Sequence, residues 1–122
     1  MENLKIDECT ATNSTILRLE GPLTIATLFD FQRAVREHGL RNTIIDLSGV
    51  PYMDSAGLGA VLAFWAHTQR SADLLAIVGV SERVQVLFDL TKVNSVLPVF
   101  STIGEAECSF QSRAENAKQA LA

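Results

Sequence analysis

The amino-acid sequence predicts a single α/β domain, spanning residues 1–122, with a mixed central sheet flanked by about four helices. Two short alternating segments near the N-terminus are typical of a hairpin, and the remainder alternates amphipathic helical segments with short apolar strands. Such alternation favours parallel strands joined by right-handed crossovers, so the added hairpin makes the sheet mixed. A chain of 122 residues is long enough for one complete core and too short for two.

The hairpin comes first in the chain. Leu4–Glu8 alternates apolar and polar side chains, as a half-buried edge strand does, and Thr15–Leu19 has the composition of its antiparallel partner. Gly21 and Pro22 end the second strand, because both residue types interrupt regular pairing. The polar residues between the two segments are expected to form the turn.

The first helix is predicted from Leu28, Phe31 and Val35, which recur at intervals of three and four residues. Either Thr24 or Thr27 is suited to cap its N-terminus, because a threonine hydroxyl can accept a hydrogen bond from an open backbone amide. The pattern does not choose between the two.

Three further strands are predicted. Thr43–Leu47 and Leu74–Val78 are short and almost entirely apolar or β-branched, as strands covered on both faces should be. Val96–Phe100 is the last, and Pro98 places it at an edge of the sheet or at a strand end, because proline cannot donate to the ladder.

The second helix is predicted over about Ser55–Gln69. Its buried stripe is assigned to Leu58, Val61, Leu62 and Trp65. Phe64 lies beside that stripe and allows two interpretations: an exposed contact for a partner protein, or packing against a neighbouring helix, which is the more common role.

Two more helices complete the order. Ser81 is predicted to cap a third helix, and Ser101 is predicted to cap a fourth. The stripe of the third helix consists of Val84, Leu87, Phe88 and Thr91. The far end of the fourth helix, about 112–122, is rich in Ala and Gln and is open to fraying.

Composition excludes several classes of function. The net charge is −4 and no run of Lys or Arg stands out, which argues against direct nucleic-acid binding. No apolar run approaches a membrane span or a signal peptide. Cys9 and Cys108 have no CxxC partner and indicate free thiols in a cytosolic chain. His38 and His67 are isolated, and nucleophile-elbow, HExxH and P-loop patterns are missing, so we expect no metal, no cofactor and no catalysis.

The segment Met53–Gly59 is the most distinctive in the chain. Its order is Met-Asp-Ser-Ala-Gly-Leu-Gly, between a buried strand and a long helix. On local chemistry alone Ser55 is an ordinary helix cap, and Asp54 is either a second capping group or a contact to a partner. Gly57 and Gly59 either permit a tight strand-to-helix passage or allow another backbone to approach, with packing favoured.

With this segment in place, the chain resembles the STAS domain, the family named for sulfate transporters and anti-sigma-factor antagonists. The resemblance covers Leu4 to about Phe110. It is carried by Ile44–Leu47, Val50, Tyr52–Gly59 and the later segment 82–93, ERVQVLFDLTKV.

The resemblance implies a stand-alone anti-sigma-factor antagonist in the cytoplasm. In such proteins the unphosphorylated form binds an anti-sigma factor, itself a GHKL-type serine kinase, and so frees the sigma factor. The kinase then phosphorylates a serine at the start of the second helix, which by motif position is Ser55, and a serine phosphatase can reset the switch. The implied partner-binding residues are Thr24, Asp54, Ala56, Gly57, Leu58 and Gly59.

The chain departs from the family pattern at three points. The loop after the second strand is Gly21–Thr24, where many antagonists have Gly-Glu-Leu-Asp, so two carboxylates are missing. Ala56 follows Ser55 where Ser or Thr is frequent, which leaves one candidate hydroxyl. Lys92 stands where the family has a glycine, and we expect it to adopt positive φ.

Two other classes of function remain open at this stage. One is a scaffold role, as a STAS subunit of a signalling assembly or of a lipid-transport complex at the inner membrane. The other is binding of a nucleotide or another small molecule.

Overall fold

The computed structural model describes residues 3–10, 14–38, 42–71 and 73–121, with the side chains of His38 and of 114–121 left out. The strands are β1 (Lys5–Thr10), β2 (Thr15–Glu20), β3 (Thr43–Gly49), β4 (Leu75–Val78) and β5 (Val99–Phe100). The helices are α1 (Leu28–His38), α2 (Ser55–Ser71), α3 (Glu82–Thr91) and α4 (Ile103–Leu121), with a 3₁₀ turn at Val93–Ser95. The predicted fraying of 112–122 falls largely on side chains outside this description and stays a prediction.

The strands form one mixed sheet in the order β1-β2-β3-β4-β5. The β1–β2 pair is antiparallel, whereas β2–β3, β3–β4 and β4–β5 are parallel. A single α/β domain with a mixed sheet and four helices is therefore confirmed. The parallel order follows from the crossovers, since each of α1, α2 and α3 returns the chain to the starting edge of the next strand.

Alternation along the central strands sends side chains to two separate cores. Leu17, Ile45 and Ile77 point to the face covered by α1, α2 and α3, and all three are almost fully buried. Ile16, Ile44 and Ala76 point to the opposite face, where they pack against Ala106 and Phe110 of α4. Burial on both faces explains why β4 is apolar throughout and why Ile44, Ile45 and Leu47 dominate β3.

The last strand is shorter than the predicted Val96–Phe100. Val93–Ser95 is a 3₁₀ turn, and the Val96 and Leu97 amides donate to the Val93 carbonyl at 2.9 and 2.8 Å. Leu97 is 3% exposed and belongs to the core beneath α1–α3. The Pro98 carbonyl accepts from the Ile77 amide at 2.9 Å. Proline has no amide hydrogen to donate, and the strand begins at the next residue, Val99.

Helix ends agree with the predictions at α3 and differ at α4. Ser81 caps α3 by accepting from the Val84 amide at 3.4 Å. Lys92 adopts φ 60°, ψ 24° at the C-terminal end, as expected of a residue in the glycine position. At α4 the predicted cap Ser101 is wrong by one residue, because the Thr102 hydroxyl accepts from the Glu105 amide at 3.1 Å.

The buried face of α2 is rotated relative to the predicted stripe. Leu58 and Val61 are buried as expected, but Leu62 and Trp65 are only half-buried at the margin of the core. Phe64 is 5% exposed and meets Phe31 of α1 edge to face, with 6.3 Å between ring centroids. The neighbouring-helix interpretation of Phe64 is therefore correct, because α2 must cover both the sheet and α1.

Candidate functional site

The α2 helix begins at Ser55, and the residue that caps it is Asp54. One Asp54 carboxylate oxygen accepts from the Gly57 amide at 2.8 Å, and its carbonyl accepts from the Leu58 amide at 3.0 Å. The prediction that Ser55 is the capping side chain is thus wrong by one position. Ser55 is exposed, and within the part of the chain that the structure describes its hydroxyl has no hydrogen-bond partner.

Asp54 also fixes the loop between β2 and α1. Its second carboxylate oxygen accepts from the Ile25 amide at 3.0 Å, a contact between residues 29 apart in sequence. One carboxylate therefore satisfies amides of two different segments. The capping interpretation of Asp54 is confirmed, while its contact to a partner stays a prediction.

The same two loops pair as a short parallel bridge between Leu23 and Met53. The Leu23 amide donates to the Tyr52 carbonyl, and the Asp54 amide donates to the Leu23 carbonyl, each at 3.3 Å. A Cβ on Gly57 would lie 2.1 Å from the Leu23 carbonyl oxygen. Gly57 is therefore required for packing of the protein's own backbone, whereas Gly59 faces open space within 4 Å.

The threonines of the β2–α1 loop hold that loop in place and cap the turn that leads into α1. The Thr27 hydroxyl donates to the Pro22 carbonyl at 2.8 Å and accepts from the Thr24 amide at 3.0 Å. The Thr24 hydroxyl accepts from the Ala26 amide at 3.2 Å. Of the two predicted caps, Thr24 has the hydrogen bonds of an N-cap, because its hydroxyl accepts from the Ala26 amide and its carbonyl accepts from the Leu28 amide at 2.8 Å. The Thr27 hydroxyl completes the cap by accepting from the Thr24 amide.

The loop so held presents apolar side chains to solvent. Ile25, bound through its backbone to Asp54, is 64% exposed, and Phe29 in the first turn of α1 is also 64% exposed. Phe29 lies off the stripe predicted for α1, which is a signal of exposure, whereas Ile25 precedes the helix and carries no such signal. We call Thr24, Ile25, Asp54, Ser55, Ala56 and Gly59 the switch surface.

The start of α3 is attached to the loop that leads to Ser55. The Ser81 hydroxyl donates to the Val50 carbonyl at 3.1 Å, and the Arg83 guanidinium lies over the Tyr52 ring at 5.3 Å from its centroid. The fold thus places the positive charge of Arg83 beside this loop through a cation–π contact, which no local sequence motif predicts.

The predicted partner-binding residues divide by burial. Gly59 is exposed like Ser55, and Thr24, Asp54 and Ala56 are half-buried. Gly57 and Leu58 are buried and point into the protein, so any effect of theirs on a partner passes through the position of α2.

Two features of the described residues bear on other classes of function. No group of three or more His, Cys, Asp or Glu side chains is placed to hold a metal ion. None of the described helices combines the length and apolarity needed to cross a bilayer. Cys9 and Cys108 are both free and exposed, as predicted.

Comparison with known proteins agrees with this architecture. The STAS domain model matches residues 5–106. Anti-sigma-B factor antagonists from Staphylococcus epidermidis and Staphylococcus aureus are 30% and 29% identical over 100 residues, covering 80% of this chain and 93% of theirs.

Solved structures show the same fold at lower identity. An anti-sigma factor antagonist from Mycobacterium paratuberculosis superposes with a TM-score of 0.79 at 16% identity, over 87% of this chain and 92% of that one. The antagonist SpoIIAA in its unphosphorylated form gives a TM-score of 0.63 at 17% identity, over 90% and 97%. From the extent of the model match and the shared topology, the chain belongs to the STAS domain family.

Proposed function

We propose that this chain is a cytoplasmic anti-sigma factor antagonist that acts by binding, not by catalysis, and that phosphorylation of Ser55 turns the binding off. The partner is an anti-sigma factor with GHKL-type serine kinase activity, and a serine phosphatase restores the unmodified form. The antagonist names of the staphylococcal relatives support the role. The observation that carries the switch is the exposed, unpartnered Ser55 hydroxyl at the first position of α2.

Phosphorylation at this position is chemically straightforward. The Ser55 oxygen attacks the γ-phosphorus of ATP, the bond to the β-phosphate oxygen breaks, ADP leaves, and the hydroxyl proton passes to a base of the kinase. Because Asp54 does the capping, Ser55 can react without giving up a hydrogen bond that holds α2.

The phosphorylated chain should stay folded. A phosphate adds about −1.5 to −2 charges, and the N-terminal amides of a helix tolerate an anion. The Gly57 amide is occupied by Asp54, so the phosphate would use the amides of Ser55 and Ala56. The modification therefore acts on the surface of the protein and leaves its core intact.

The main effect of the phosphate is to lower the affinity for a partner. The exposed Ile25 side chain offers apolar area beside Asp54, and a partner that covers it would also have to desolvate phosphoserine. Repulsion from the neighbouring Asp54 carboxylate adds to that cost. The Gly21–Thr24 loop lacks the two carboxylates that many antagonists have. Apolar contacts around Ile25 therefore supply a larger part of the affinity for the partner than in those antagonists.

The test is capture of partners from native cytosol, with ATP added to half of the sample and intact mass measured on the recovered chain. We expect a GHKL-type kinase as the bound protein, then one phosphate on Ser55 and release. The Ser55→Ala variant should bind and remain bound. The matched control is Ser101→Ala, an exposed serine two residues before α4, which should switch like the parent. Recovery with transporter or scaffold subunits, and Ser55 unmodified, would replace the proposal with the scaffold role.

A further inference from the structure

A groove between α1 and α2 takes no part in the switch surface. Its volume is about 460 Å³, within the range of roughly 300–1,000 Å³ typical of small-molecule sites. The floor consists of Phe31 and Phe64, which are 1% and 5% exposed and meet edge to face. The groove therefore has a rigid aromatic base.

Small side chains on α2 explain why the space above that floor is unfilled. Ala60 and Ala63 line the groove opposite Val35 of α1, and neither reaches across to the other helix. The alanines leave a cleft beside the Phe31–Phe64 ring pair that a larger residue at Ala63 would close. The walls are thus apolar.

The rim is polar and carries positive charge. Gln32, Arg36 and His67 line it, and none of the described lining residues is acidic. Among the described residues Arg36 has no ion-pair partner, whereas Arg33, one turn earlier on α1, lies 3.9 Å from Asp30. An unpaired guanidinium beside an apolar cleft is complementary to an anion with an apolar body.

The topology sets the direction of such a ligand. Both α1 and α2 connect adjacent parallel strands on one face of the sheet, so the two helices run in the same direction. Arg36 and His67 are therefore at the same end of the groove, and Phe31 and Ala60 are at the other. From residue 60 to 67 the helix rises about 10 Å, at about 1.5 Å per residue, which matches an extended chain of about eight carbons.

We propose that this groove binds a linear medium-chain monocarboxylate of the size of octanoate, with its carboxylate at Arg36 and His67 and its chain over the Phe31–Phe64 floor. The carbonyl ends of both helices lie toward the carboxylate end and disfavour an anion there. Binding of the acid therefore depends on the Arg36 guanidinium. The inference is independent of the proposed switch at Ser55.

The first experiment is a titration of the ¹⁵N-labelled chain with octanoate, followed by amide chemical shifts. We expect saturable shifts confined to α1 and α2, with a dissociation constant of the order of 0.1–1 mM for so small a ligand. The neutral probe 1-octanol should bind more weakly. Shifts that spread over the whole surface without saturating, or equal affinity for the two probes, would overturn the proposal.

Two variants locate the site. Arg36→Gln should weaken octanoate binding by about three- to fivefold, the size expected of a solvent-exposed charge contact, without affecting 1-octanol. Arg33→Gln is the matched control on the same helix and should bind like the parent. Ala63→Leu should abolish the saturable shifts with its thermal unfolding midpoint unchanged. Octanoate binding that survives Ala63→Leu would refute the site, and loss of anti-sigma factor capture by that variant, with no octanoate binding by the parent, would assign the groove to a protein partner.

Discussion

The starts of α2 and α3 use the same residue type in opposite ways. At α3 the Ser81 hydroxyl is fully engaged in structural hydrogen bonds, because it accepts from the Val84 amide and donates to the Val50 carbonyl. At α2 the equivalent work is done by Asp54, and the serine stands one position later with its hydroxyl unpartnered in the described structure. A shift of one residue thus separates a structural serine from a chemically available one.

The third helical position differs as well. In α3 it is Val84, which is fully buried, and in α2 it is Gly57, which lies against the Leu23 backbone. The available serine therefore comes with a tightly packed loop behind it. The α2 helix therefore begins with a rigid base and an open first residue, and four substitutions test this difference from α3.

The largest effect is expected from Gly57→Ala. Its Cβ would lie 2.1 Å from the Leu23 carbonyl oxygen, a backbone atom that cannot move aside, so we expect a loss of about 3 kcal/mol in the free energy of unfolding. Urea denaturation measures it. Gly59→Ala is the control, because its Cβ meets nothing within 4 Å, and it should be neutral or stabilising by up to about 1 kcal/mol. Equal effects of the two would show that the close approach does not exist in solution.

The next effect is expected from Asp54→Ala, which removes the cap of α2 and the hydrogen bond to the Ile25 amide together. We expect a loss of about 1–2 kcal/mol in unfolding free energy and faster hydrogen exchange at Ile25. Asp54→Asn keeps an acceptor oxygen and should recover most of the stability. A fully stable Asp54→Ala variant would argue that Ser55 takes over as the cap.

Ser81→Ala should cost about 1 kcal/mol, because the lost hydroxyl serves both the Val84 amide and the Val50 carbonyl. The same urea titration measures it, and the phosphate content of Ser55 after kinase treatment should not change. An unaltered unfolding free energy would mean that water replaces this cap at no cost.

The smallest effect on stability is expected from Ser55→Ala, within about 0.5 kcal/mol, because no described contact of its side chain is lost. Its effect on modification should be complete, as measured by intact mass after incubation with the kinase and ATP. If Ser55→Ala proved as destabilising as Ser81→Ala, the assignment of the cap to Asp54 would have to be reversed.

Much of the fold could be read from patterns whose cause is local. Continuous runs of apolar or β-branched residues predicted β3 and β4, because a strand buried on both faces has few polar residues. Alternating segments predicted the hairpin, because a strand buried on one face alternates apolar and polar residues. The left-handed conformation of Lys92 was expected only from the glycine that the family has at this position, because a lysine carries no local signal for positive φ. The start of the last strand was not predictable in this way, because a 3₁₀ turn at Val93–Ser95 precedes it and Leu97 enters the core.

The stripe of α2 shows why amphipathic phase is harder to predict. Apolar and small residues occur almost all round this helix, so the sequence favours no single face. Contact with α1 decides the matter by drawing Phe64 onto Phe31 and leaving Trp65 at the margin. The same contact creates the groove, whose small alanines are unremarkable in sequence.

Local patterns in the sequence were enough to predict the order of elements and the location of the Asp54–Ser55 segment at a strand-to-helix passage. Each of these depends on residues close together in the chain. Folding of the whole chain was needed to bring Asp54 to the Ile25 amide, to pack Gly57 on Leu23, and to place Arg36 in one groove with His67. The residues in each of these contacts are about 29 to 34 positions apart in the chain. Such contacts depend on how closely distant segments pack, and close packing leaves no periodic pattern in a sequence.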